Sequence, residues 1–178
     1  MLPSTRARVQ ITLSPREVER WPDTAARALA HDWPKGRPAS FSVPTLERVV
    51  PICRHLAGSW MDSQDITDEG ARYTVSLVLS ELMTNAILHT NSVWISGHLR
   101  KTGDQILVEV HDEGGPSVAA HPHRARHANE HGRGLALVAQ SVQELGMRLE
   151  ADGGRTVWAC VQVTAQAPRQ RTASTSAA

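Results

Sequence analysis

The order of the apolar patterns along the chain limits the folds that this sequence can adopt. Apolar residues first recur every three or four positions over 44–60 and 67–89, which predicts two amphipathic helices. Apolar and polar residues then alternate in four segments, which predicts strands at 93–99, 105–112, 145–149 and 157–163. A helical pattern over 134–145 separates the two pairs of strands. Strands with helices packed on one face form a two-layer α/β sandwich, which is the predicted fold class.

The bulk composition is typical of one folded domain. Of the 178 residues, 40% are hydrophobic and 21% are charged, close to the averages for soluble globular proteins. The net charge is +1 and no basic face is visible, so direct nucleic-acid binding is not expected. No apolar run has the roughly 18 residues that a membrane span needs, and the N-terminus has no leader pattern. Cys53 and Cys160 lack metal or disulfide spacing, so we expect a cytoplasmic protein.

The chain divides into three predicted regions. A Pro-rich passage over 33–44 has the composition of a linker, so we expect an N-terminal extension over 1–39 and the main domain over 40–164. The tail over 165–178 contains no large apolar residue and is predicted to be disordered.

The N-terminal extension is predicted to contain a short strand and then a helix. Residues 6–13 alternate weakly, and the following "SPRE" offers Ser14 as N-cap, Pro15 at the first helical position and Glu17 at the third. Three roles are open for this extension: it extends the sheet, covers a dimer surface or binds a partner.

Three polar residues lie on one face of the second predicted helix. Glu81, Asn85 and His89 are spaced four apart in "SELMTNAILHT", and four residues return nearly to the same side of a helix. The opposite flank is apolar, so the polar row lies beside the core. The alternative is an ordinary solvated helix face, because this spacing alone is a weak pattern.

A second motif is "VEVHDEGGP", in which a strand ends at Asp112 and is followed by Gly114 and Gly115. An acid followed by glycines lets the backbone turn sharply and lets a flat ligand approach the main chain. The alternative is an ordinary Asp-Gly turn.

A third motif is "HGRGLALV", in which Gly132 and Gly134 precede the predicted helix that Leu135 begins. Glycines before a helix N-terminus expose backbone amides at the positive end of the helix dipole, which suits phosphate oxygens. The pair of glycines is weak by itself, and it is not a dinucleotide-binding fingerprint because a polar loop takes the place of the preceding strand.

Taken in this order, "ELMTNAILH", "DEGGP" and "HGRGLALV" resemble the N, G1 and G2 boxes of the Bergerat ATP-binding fold of sensor histidine kinases and DNA gyrase. The resemblance covers about 40–163 and includes "GGRTVWA" at 153–159. It implies a mixed, mostly antiparallel sheet with helices on one face. The residues before Ser40 do not match a dimerisation helix with a phosphoacceptor His, and the tail does not match a second domain. The chain therefore resembles the compact anti-sigma-factor serine kinases and the stand-alone regulatory ATP-binding proteins like them in actinobacteria.

The resemblance implies roles for the matched residues. Asn85 would bind Mg²⁺, and Glu81 would be the general base that orients a serine or threonine hydroxyl. Asp112 would accept a hydrogen bond from the adenine amino group, with Gly114 leaving room for the base. The implied ATP site is completed by His89, Gly132, Arg133, Gly134, Leu135 and Thr156.

Some of these implied roles have alternatives. Gly132 and Gly134 would offer amides to the phosphates, while His89 or Arg133 would add positive charge there. His89 could instead interact with the carboxyl end of its own helix.

Three functions follow as expectations. The first is an anti-sigma factor that phosphorylates an antagonist protein with ATP, and the second is a non-catalytic module that sequesters a sigma factor or another regulator when ATP is bound. The third is a domain that has lost nucleotide binding, against which the retained Asn85 and Asp112 argue. Whether the protein forms a homodimer is left open by the sequence.

The loop over 117–131 is predicted to cover the nucleotide. Its four histidines and two arginines favour attraction to phosphates, whereas a metal site at His121 and His123 is the weaker alternative. Trp94 and Trp158 alternate with the apolar strand residues, so we expect them on the other face, in packing or in partner binding.

Overall fold

The computed structural model describes residues 9–22, 33–114 and 128–164, with side chains in the last range from Gly134 onward. The elements in chain order are β1 (Val9–Thr12), α1 (Pro15–Glu19), β2 (Ala39–Pro44), α2 (Val49–Ser63), α3 (Glu69–His89), β3 (Trp94–Thr102), β4 (Gln105–Asp112), α4 (Ala128–Ser141), β5 (Glu144–Leu149) and β6 (Arg155–Gln162).

The six strands form one mixed sheet in the order β1-β2-β3-β4-β6-β5. The pair β1 and β2 is parallel, and every other neighbouring pair is antiparallel. Helices α2 and α3 pack against each other and against this sheet. The predicted α/β sandwich with a mostly antiparallel sheet is therefore confirmed.

The two faces of the sheet differ in chemistry because successive strand residues point to opposite sides. The face against the helices carries an apolar row that crosses all six strands: Ile11, Phe41, Gly97, Val110, Val157 and Met147. The neighbouring row on the other face is polar: Ser42, Ser96, His111, Thr156 and Arg148. Trp94 and Trp158 lie half-buried on this second face, as their alternation predicts.

Helices α2 and α3 supply most of the helical side of the core. In α2, the buried residues include Ile52, Leu56 and Trp60, which recur at intervals of four. In α3, the buried residues include the flank that the sequence identifies as apolar: Val75, Leu79, Leu82, Met83 and Ala86. One flank of α3 is thus fixed in the core, and its polar row lies on the remaining flank.

The N-terminal extension is part of the sheet, since β1 pairs with β2 and Ile11, Leu13 and Val18 belong to the same core as the main domain. Of the three roles left open by the sequence, the structure shows sheet extension. The predicted capping box is also confirmed: the Ser14 amide donates to Glu17 Oε2 at 2.7 Å, and the Glu17 amide donates to Ser14 Oγ at 3.4 Å.

The predicted linker over 33–44 is wrong for its second half, because Ala39–Pro44 forms the buried strand β2. Ala39, Phe41 and Val43 alternate with serines, and this strand pattern outweighs the flanking prolines. The residues before β2 are held to α2, where Trp60 Nε1 donates to the Arg37 carbonyl at 2.9 Å.

Two predicted helix starts are also corrected. Helix α2 begins at Val49 rather than near Pro44, which leaves Leu46 exposed outside it. Helix α3 begins at Glu69 rather than at the predicted position 67, and its N-cap is Asp68, whose carboxylate accepts the Ala71 amide at 3.1 Å. Asp68 also accepts the Thr164 amide at 2.8 Å, which joins the end of β6 to the start of α3.

Within the described ranges, no helix is long and apolar enough to cross a bilayer. The predicted tail over 165–178 lies outside the described residues, as does most of the predicted loop over 117–131.

Phe41 and Gly97 provide a test of this packing. A Cβ on Gly97 would lie 2.2 Å from Phe41 Cε2, so Gly97→Ala should lower the free energy of unfolding by about 1–3 kcal/mol through overpacking. The measurement is urea denaturation of both proteins. Gly58→Ala in α2 is the matched control, since its Cβ would meet nothing within 4 Å, and it should be neutral or stabilising. Equal stability of Gly97→Ala and the parent protein would contradict the placement of Phe41.

Candidate functional site

A cavity of about 590 Å³ lies between α3 and the strands β4, β5 and β6. It is lined by Leu82, Asn85, Ala86, His89, Val110, Asp112, Leu135, Leu145, Gly146, Met147, Arg155 and Val157. Apolar side chains form most of its walls, and a few polar groups face the same space. This combination is typical of small-molecule sites.

Asn85 is the polar residue of α3 whose hydrogen bonding is incomplete. Its Nδ2 atom is buried and has no hydrogen-bond partner among the described residues. A buried donor without an acceptor costs roughly 1–3 kcal/mol, and this amide has the capacity to donate to a ligand. His89 also lines the cavity. It is the last residue of α3 and is exposed to solvent, and a positive charge at this end of a helix interacts favourably with the helix dipole.

Glu81 occupies a different position from the other two residues of its row. A Cβ on Gly134 would lie 1.9 Å from Glu81 Oε2, so the Glu81 carboxylate fits into the space left by this glycine of α4. Glu81 is half-buried there and is not among the residues that line the cavity. The row predicted from the sequence is therefore split between the cavity and the contact of α3 with α4.

Asp112 is a buried carboxylate at the end of β4, with only 2% of its surface exposed. Its Oδ1 accepts the Gly114 amide at 3.0 Å, and its Oδ2 accepts Arg155 Nε at 3.2 Å. Arg155 is not among the site residues predicted from the sequence. Arg155 can be recognised as a site residue only from the register of β4 and β6, in which it lies directly opposite Asp112. The alternation of apolar and polar residues in the two strands does not give that register.

Gly114 is required by the backbone around it. It has φ +72, and a Cβ there would lie 2.1 Å from the carbonyl oxygen of Gly153. The space beside Gly114 is therefore filled by the turn between β5 and β6. This differs from the expectation that Gly114 leaves room for a base.

The glycines of the third motif lie inside α4 rather than before it. The helix begins at Ala128, so Gly132 and Gly134 are both within it, and the predicted helix start at Gly134 is corrected. Their amides are consequently not at a helix N-terminus in this structure. Gly134 instead makes room for Glu81, while Leu135 lines the cavity as expected. The side chain of Arg133 lies outside the described residues.

Thr156 lies on the opposite face of the sheet from the cavity, which corrects its assignment to the ATP site. It is directly opposite His111, and its Oγ1 donates to Glu150 Oε1 at 2.6 Å. Hydrogen bonds from Thr156 and Arg148 hold the pKa of Glu150 below its usual value. The "GGRTVWA" motif thus contributes Arg155 to the cavity.

No group of three or more His, Cys, Asp or Glu residues that could hold a metal ion occurs in the described part of the chain. His121 and His123, which carried the alternative metal site, lie outside it.

The sequence profile of the histidine kinase-like ATPase domain matches residues 43–161, which is most of the chain. The protein belongs to the histidine kinase-like ATPase family. This match lies within the main domain predicted over 40–164. A search of curated proteins finds no match.

The ligand of a histidine kinase-like ATPase domain is ATP, typically with Mg²⁺, and the cavity has groups that suit both. An amide such as that of Asn85 offers an oxygen to a cation and an NH₂ group to a phosphate oxygen. Asp112 supplies an acceptor for an amino group, and the apolar walls suit a flat base. The residues present therefore fit ATP with Mg²⁺.

The position of Thr156 leads to a prediction for this ATPase domain. Thr156→Val should leave the affinity for ATP with Mg²⁺ unchanged within about twofold, because the side chain faces away from the cavity. The pKa of Glu150 should rise toward its usual value, since the strongest hydrogen bond that lowers it is lost. Calorimetric titration with ATP and NMR titration of the carboxyl groups measure the two effects.

The adjacent variant Val157→Ala is the matched control, because Val157 lines the cavity and its truncation should weaken ATP binding. A loss of ATP affinity of tenfold or more in a folded Thr156→Val protein would contradict the observed register.

Proposed function

We propose that this protein is an ATP-binding regulatory protein that phosphorylates a serine or threonine on a partner protein, in the manner of anti-sigma-factor kinases. The observation that carries ATP binding is that the buried Asp112 and the unsatisfied amide of Asn85 line one cavity. The proposed partners are a sigma factor and an antagonist protein of the anti-sigma factor. Homodimer formation is part of the same proposal.

In this proposal Asp112 and Asn85 bind opposite ends of the nucleotide. Asp112 accepts a hydrogen bond from the adenine amino group, and the base lies between apolar residues such as Ala86 and Val157. Asn85 is the Mg²⁺ ligand from the protein, and His89 lies close enough to the same cavity to contact phosphate. Mg²⁺ supplies charge neutralisation to the phosphates when it is bound.

ATP binding can be measured by thermal unfolding with and without ATP and Mg²⁺. At a nucleotide concentration 100 times Kd, the parent protein should gain about 2.7 kcal/mol of stability. Asp112→Asn should lose most of this gain, because an NH₂ group replaces one acceptor oxygen. Asp104→Asn, in the exposed turn between β3 and β4, is the matched control and should keep it. A parent protein without any ATP-dependent shift would indicate a domain that has lost nucleotide binding.

The proposed transfer step needs one positioned base. Glu81 takes the proton from a serine or threonine hydroxyl of the partner, the hydroxyl oxygen bonds to the γ-phosphorus, and ADP leaves with the electrons of the broken P–O bond. The retained carboxylate at position 81 supports this assignment. For the step to occur, Glu81 has to reach the cavity from its position beside Gly134.

A second candidate function is favoured by that same position. Because Glu81 lies against α4 and does not line the cavity, the protein could regulate its partner through ATP-dependent binding without phosphoryl transfer. Binding energy that differs between the ATP-bound and ATP-free protein is sufficient for this function.

Glu81→Gln separates the two candidates. If Glu81 is the base, transfer of labelled phosphate to an antagonist protein should fall by roughly 10²–10⁴-fold while ATP affinity is unchanged. Glu69→Gln, an exposed acid in the first turn of the same helix, is the control and should transfer normally. Regulation of the sigma factor that survives in Glu81→Gln, with no transfer in the parent protein, would support the binding module and contradict the kinase.

A further inference from the structure

Arg155 and Asp112 present a donor and an acceptor side by side in the cavity. We propose that Arg155 is a second base-reading residue, which donates a hydrogen bond to the ring nitrogen beside the amino group that Asp112 accepts. This inference rests on the proposed ATP binding at Asp112. The inference makes the side chain of Arg155 a further determinant of which base the site accepts.

The guanidinium of Arg155 has N–H groups that do not donate to Asp112. Arg155 and Asp112 are directly opposite in the antiparallel pair of β4 and β6, and both line the cavity. Arg155 Nε donates to Asp112 Oδ2 at 3.2 Å. An arginine has five N–H donors, and Asp112 is the one side chain recorded as its partner among the described residues. Its two terminal nitrogens therefore have the capacity to contact a ligand.

Asp112 also keeps acceptor capacity after these contacts. Each carboxylate oxygen can accept two hydrogen bonds, and each oxygen of Asp112 accepts one in the structure. A ligand can thus donate to Asp112 without displacing Arg155. The ion pair itself holds the guanidinium in place, which lowers the entropy cost of a further hydrogen bond.

Adenine matches this pair of groups at its six-membered ring. The amino group at position 6 donates, and the neighbouring N1 accepts. Hypoxanthine has the reverse order, with an oxygen at position 6 and an N–H at position 1, so in the same orientation it would face a carboxylate with an acceptor and a guanidinium with a donor. Arg155 therefore makes the site depend on N1 as well as on the amino group.

A purely structural role for Arg155 would give a different result. The buried carboxylate of Asp112 needs a counterion, so loss of Arg155 would then weaken binding of every nucleotide by the same factor. The distinguishing quantity is the ratio of the affinities for ATP and 1-deaza-ATP, an analogue with a C–H group in place of N1.

The experiment measures the Kd of ATP and of 1-deaza-ATP, both with Mg²⁺, for the parent protein, Arg155→Gln and Arg155→Lys. The parent protein should bind ATP roughly tenfold or more tightly than 1-deaza-ATP, the factor expected of one charged hydrogen bond. Arg155→Gln should reduce this ratio to about one, and Arg155→Lys should lower it, because one ammonium nitrogen replaces the three nitrogens of the guanidinium. Arg155→Lys retains a positive charge opposite Asp112, so it supports the test if Arg155→Gln does not fold. Arg148→Lys, on the other face of the sheet, is the matched control and should keep the ratio of the parent protein.

An unchanged ratio in the Arg155 variants would overturn the inference. Tighter binding of ATP by the variants than by the parent protein would also overturn it, because Arg155 would then compete with ATP for Asp112. A parent protein that binds both nucleotides equally would overturn the inference and leave the proposed ATP binding intact. A parent protein that binds neither would overturn both.

Discussion

The packing of α3 across the sheet is the interaction on which the site depends. One flank of this helix is fixed by buried residues such as Val75, Leu79 and Met83, so the helix cannot rotate without exposing them. The part of its other flank that carries Asn85 then lies over β4 and β6. Asn85 meets the cavity there because the core holds the helix in that orientation. The site is therefore a consequence of how the core is filled.

Register between β4 and β6 is the second constraint, and it decides which polar residues share a face. Asp112 lies opposite Arg155 and therefore points to the same side, whereas Thr156 points away with His111. A shift of β6 by one residue relative to β4 would place Thr156 opposite Asp112 and turn Arg155 to the other face of the sheet. The charge on the cavity wall would then change from a compensated ion pair to an isolated carboxylate, which is costly to bury.

Much of the fold could be predicted from periodicity, since long patterns such as that of α3 average over many residues. The strand β2 could not be separated from a linker in the same way, because Pro38 before it, Pro44 at its end and its short length hide the alternation of Ala39, Phe41 and Val43. The polar row on α3 was visible from spacing alone. The separation of Glu81 from Asn85 was not, because it depends on where α4 crosses α3, a contact between residues far apart in the chain.

The parallel pairing of β1 with β2 gives the N-terminal segment a role in the integrity of the sheet. Residues 43–161 are those that the family profile covers, and this range begins inside β2, which starts at Ala39. A protein cut at the profile boundary would lose most of β2 and all of β1, and β3 would become an edge strand with unpaired backbone amides. Exposed edges of this kind recruit other strands and aggregate. The unit recognised by sequence similarity is thus smaller than the sheet that the structure contains.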